Sequence, residues 1–109
     1  MNNQTKYKYR LRLGYYSTEY LIEFFYGVEN ENFGKDLLDA IKEIRPIISK
    51  STDVWMNDEF LYEIKTEVGQ FTLLSSAYDF AFIHNKKNQD CVFKIDNLLS
   101  IDNRFEKAS

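Results

Sequence analysis

The chain has 109 residues, 44% of them apolar and 28% charged, with a formal net charge of −3. That size and balance suit one globular domain over residues 1–109, with a single core. No apolar run nears the roughly 20 residues that would span a bilayer, and the lone Cys91 rules out an internal disulfide. The polar start, Met1 to Lys6, does not read as a secretory leader, so the expected location is cytoplasmic.

Residues 6–13 alternate with period two. Lys6, Lys8, Arg10 and Arg12 fall on one side, and Tyr7, Tyr9, Leu11 and Leu13 on the other, which predicts a half-buried strand. A short turn from Gly14 leads to a second alternating run, 19–26. Tyr20, Ile22, Phe24 and Tyr26 share one face of it, and Glu19, Leu21, Glu23 and Phe25 the other. So short a connection predicts an antiparallel hairpin, with Glu19 and Glu23 beside the basic stripe.

Gly27 ends the alternation, and Asn30 or Asn32 is suited to cap a helix. Phe33, Leu37, Ile41 and Ile44 then recur at helical spacing up to Pro46. Residues 46–57 show no period and read as a long loop carrying Trp55, a residue type common in interaction hot spots. Alternation returns over 59–68, where Glu59, Leu61, Glu63, Lys65 and Glu67 share a face. Two further runs, 71–75 and 78–84, are apolar on both faces and predict central strands. From Asp90 the period becomes helical, with Cys91, Ile95 and Leu98 on one side and Asn88 as cap, which predicts a helix over 89–100, while 91–95 also alternates as a strand would; the tail from Ile101 reads as polar, with Phe105 as its anchor.

The expected architecture is therefore α+β: a two-layer sandwich, with a mainly antiparallel sheet of about five strands in the order ββαβββα and two helices on one face.

Chemistry is sparse. Nine Phe, eight Tyr and one Trp accompany a single His and four Gly. No phosphate loop, dinucleotide fingerprint or zinc-protease motif occurs, so neither an enzyme nor a cofactor is expected. His84 ends a strand with no nucleophile patterned beside it, and Cys91 reads as core. Residues 1–12 hold four basic side chains and no acid, whereas the remainder holds ten basic against seventeen acidic. An acidic body disfavours nucleic acid, and the aromatics of the first strand lie opposite its basic residues rather than among them. The expected contact surface is the open sheet face: Glu59, Glu63 and Glu67 with Glu19 and Glu23, around Leu21, Phe25 and Leu61, and Trp55 as an anchor.

Tyr78-Asp79-Phe80-Ala81-Phe82-Ile83, Asn88-Gln89 and Ile95-Asp96-Asn97-Leu98-Leu99-Ser100 together resemble the C-terminal half of small acidic bacterial immunity proteins of contact-dependent inhibition and polymorphic toxin systems. The resemblance implies a binding protein that neutralises a cognate toxin domain by occluding its active surface. The acidic face implies a toxin with a basic surface, with no nucleic-acid or membrane partner. The alternative is a non-catalytic adaptor or self-associating domain, a homodimer through Leu21, Phe25 and Leu61.

Overall fold

The computed structural model describes residues 5–14, 17–54, 59–76 and 80–108. The elements are β1 (Tyr7–Leu13), β2 (Tyr20–Tyr26), α1 (Phe33–Ala40), β3 (Ile47–Val54), β4 (Glu59–Thr66), β5 (Gly69–Ser76), β6 (Ala81–His84), α2 (Gln89–Ser100) and β7 (Phe105–Lys107). The strands form one sheet of seven in the order β3-β4-β5-β6-β2-β1-β7. Every pairing is antiparallel except β1 with β7.

The α+β class and the mainly antiparallel sheet agree with the sequence pattern; five strands and the order ββαβββα do not. Residues 47–54, expected within a loop, form β3. This edge strand pairs only with β4 and is exposed at 47–52, so burial imposed no alternation for the sequence to display. Residues 105–107, expected in the tail, form β7, which runs parallel to β1 with Tyr7 beside Phe105 and Tyr9 beside Lys107. The first helix is shorter than its apolar stripe: α1 ends at Ala40, and a single 3₁₀ turn, Lys42–Ile44, carries the stripe on. Arg45 then turns left-handed at φ 53°.

The core lies between one sheet face and the helices. Tyr7, Tyr9, Ile22, Phe24, Ile64, Phe71, Ala81 and Ile83 are buried from the sheet, while Phe33, Leu37, Cys91, Val92, Ile95 and Leu99 are buried from the helices. Aromatic rings interlock at one end. Tyr7 lies 5.3 Å from Phe33 and 4.9 Å from Phe105, and Phe24 lies 5.1 Å edge-on to Phe33. Such pairs add about 0.5–1.5 kcal/mol each beyond their buried area. Phe105 thus anchors the tail, and Cys91 is the core residue its spacing suggested; burial raises its thiol pKa. Asn88 caps α2 by accepting the Cys91 N–H at 3.1 Å.

Two buried tyrosines tie the layers together. Tyr7 donates its hydroxyl to Asp36 of α1 at 2.6 Å, and Tyr9 donates to the Asp96 carbonyl of α2 at 3.2 Å. Arg104 joins Asp36, Asp39 and Asp102 at 3.2, 2.9 and 2.7 Å. Lys107 meets Asp96 at 3.0 Å, so β7 is clamped to both helices.

Candidate partner-binding face

Both helices pack on the face that buries Tyr9, Ile22, Phe24 and Ile83. The residues between these point to the other face, over which no helix among the described residues lies. Register runs one row across that open face: Thr52 of β3, Leu61 of β4, Leu74 of β5, Phe82 of β6, Glu23 of β2 and Arg10 of β1 stand in successive pairs. Leu61, Leu74 and Phe82 are each only partly buried, so three apolar groups lie side by side at the middle of the row. A second row contains Lys50, Glu63, Thr72 and His84.

The sequence-predicted residues divide on this map. Leu61, Glu59 and Glu63 stand on the open side of β4, and Glu23 and Phe25 on that of β2. Glu63 is opposite Lys50 and accepts from the Gln70 amide at 3.0 Å. Glu23 is held by Arg12 at 2.7 Å and Arg10 at 3.8 Å.

Glu19 precedes β2 and takes the hydroxyls of Thr18 and Ser17 at 2.8 and 3.2 Å, instead of facing the basic stripe. Those hydrogen bonds lower its pKa. Glu67 is not in the acidic row, because β4 ends at Thr66. It sits in the following turn, 3.6 Å from Arg45, and its N–H donates to the Ile44 carbonyl. Trp55 lies outside the described residues.

Leu74, Phe82, Arg10 and Arg12 also belong to the face, and the sequence reading left them out. Their signal was visible. Runs apolar on both sides fit either a doubly covered strand or an open face that is itself apolar, and only the layer count separates these. The cations lie over rings of the next two strands: Arg10 Cζ is 4.3 Å from the Phe25 centroid on β2, Arg12 Cζ 5.7 Å from Phe82 on β6, and Lys8 Nζ 5.2 Å from Tyr26 on β2. A bulge at Lys8/Tyr9 brings Tyr26 opposite Lys8. Basic and aromatic groups are therefore on one surface after all, the rings coming from β2 and β6 rather than β1.

Charge on the open face is mixed. Lys8, Arg10, Arg12, Lys50 and Lys65 accompany Glu23, Glu59, Glu63 and Glu106, so the acidic character of the chain is not concentrated here. Glu106 stands beside Lys8 in the parallel pairing.

Other features offer less chemistry. His84 is half-buried at the end of β6; desolvation, then Lys86, lowers its pKa and favours the neutral ring. A groove of about 350 Å³ on the helix side is lined by Phe33, Leu38, Ile48, Tyr62 and Leu73. Among the described residues, no group of three or more His, Cys, Asp or Glu is placed to hold a metal, and no helix is long and apolar enough to cross a membrane.

No protein-family model matches the chain, nor does any curated protein or solved structure.

Proposed function

We propose that this chain is an immunity protein: it binds a cognate bacterial toxin domain and blocks its active surface with the open face of the sheet. The observation that carries this reading is the in-register row of Leu61, Leu74 and Phe82, partly exposed, with Thr52 at one end and Glu23 and Arg10 at the other. Apolar centres within polar rims are the usual anatomy of a protein contact. A sheet face is also rigid, so little ordering entropy opposes association. A toxin with a basic surface would meet Glu59 and Glu63 of β4, which Lys65 of the same strand and Lys50 of β3 partly offset.

The test is growth rescue. The reading frame encoded immediately upstream is expressed in susceptible cells with and without this chain, and then with Leu61→Glu/Leu74→Glu, whose fold is checked by circular dichroism. Rescue by the wild type and not by the folded variant supports both function and face. Equal rescue by the variant rejects the face. A harmless neighbouring frame favours the second reading, self-association through the same apolar row. That reading predicts a dimer in sedimentation velocity, and a monomer at high concentration rejects it.

A further inference from the structure

We propose that the β1–β2–β6 end of the open face docks an acidic segment of the protein partner, with Arg10 as the carboxylate-binding anchor. This inference rests on the immunity reading and names the partner chemistry at that site. Lys8, Arg10 and Arg12 alternate along β1, which spaces them roughly 6.6–6.8 Å apart on one face. Each is laid on an aromatic ring. Contact with a ring restrains the guanidinium, so less side-chain entropy is lost when it grips a planar carboxylate.

Glu23 serves two arginines. It is 2.7 Å from Arg12 Nε and only 3.8 Å from Arg10 Nε, beyond hydrogen-bond range. Among the described residues that long contact is Arg10's one ion pair, and its side chain is 46% exposed. Glu106, beside Lys8, already accepts the Thr5 hydroxyl at 3.3 Å. A carboxylate from a partner, seated against the exposed Arg10 guanidinium, would complete the network with a charge-assisted, bidentate bond.

An acidic protein segment suits this surface better than nucleic acid. The ring faces that would stack bases are occupied by cations, and Glu23 stands beside the basic row, opposite Arg10, where it would repel a phosphate backbone.

The experiment is an NMR titration of the full chain with three probes of similar length: a capped peptide alternating Thr and Glu, the same peptide with Lys for Glu, and an eight-residue oligothymidylate. The acidic peptide is expected to shift the amides of Lys8, Arg10, Phe25 and Phe82 saturably, and Arg10→Gln to weaken it at least fivefold without changing the spectrum elsewhere. The basic peptide should leave those amides unmoved. No saturable shift with the acidic peptide, or one unaffected by Arg10→Gln, overturns the proposal. So does tighter binding of the oligonucleotide at the same residues. Growth rescue keeps the two readings apart. Rescue by the wild type without acidic-peptide binding removes this inference alone. Peptide binding without rescue removes the toxin and leaves the anchor.

Discussion

Tyr7→Phe should destabilise the protein by about 2 kcal/mol at neutral pH and by clearly less in acid. The substitution deletes one oxygen and leaves the ring packed on Phe33 and Phe105, so no cavity forms. What is lost is the 2.6 Å hydrogen bond from a fully buried hydroxyl to the carboxylate of Asp36. Hydrogen bonds to charged groups contribute roughly 1.5–3 kcal/mol. Asp36 keeps Arg104 at 3.2 Å and Lys6 at 3.4 Å, which places the loss in the lower part of that range. The Tyr7 bond is the largest cause holding the Asp36 pKa below its usual value, ahead of Lys6 and Arg104. A carboxyl with a depressed folded pKa adds stability that is present above its unfolded pKa, about 3.9, and is lost as pH falls through the folded value. Removing that bond flattens the acid limb, so the two proteins converge as Asp36 protonates. Urea unfolding followed by far-UV circular dichroism at pH 7 and pH 3 measures both quantities. A loss under about 0.5 kcal/mol at pH 7, or an equal loss at both pH values, would refute the reasoning.

Two other perturbations follow from the same geometry. Gly27→Ala should cost more than about 2 kcal/mol in a thermal melt. Gly27 has φ +88°, where a side chain already costs roughly 1–2 kcal/mol, and its new Cβ would collide with the Lys6 carbonyl oxygen and stand 2.8 Å from the Tyr7 ring. An unchanged melting point would show that the β2–α1 turn can relax. His84, the single histidine, is held neutral by desolvation and Lys86. A depressed folded pKa means stability is complete above the usual histidine value near 6.5 and falls below it. Between pH 7 and pH 5 the wild type should therefore lose stability that His84→Gln retains, and parallel urea midpoints for the two would contradict this.

How much was legible depended on how local the cause was. The β1–β2 hairpin was readable because each strand buries one face, and burial writes a period of two into the residues. Helix α2 was readable from its three-to-four spacing and from Asn88, whose cap requires only Cys91 nearby. β3 was not, since an edge strand exposed at 47–52 is under no pressure to alternate. β7 was not either. Three residues carry too little pattern, and its partner lies almost the whole chain away.

The candidate face shows the same division. By itself the sequence determined the two-layer class, the core identities of Cys91 and Phe105, and the side of β4 on which Glu59, Leu61 and Glu63 stand, because pleat and helix periodicity are properties of neighbouring residues. Only the tertiary structure decided that β6 and β2 lie between the acidic strand and β1. That order sets Phe25 and Phe82 beneath the arginines and makes the surface mixed in charge. Strand order is settled by packing among segments far apart in the chain, and no local period records it.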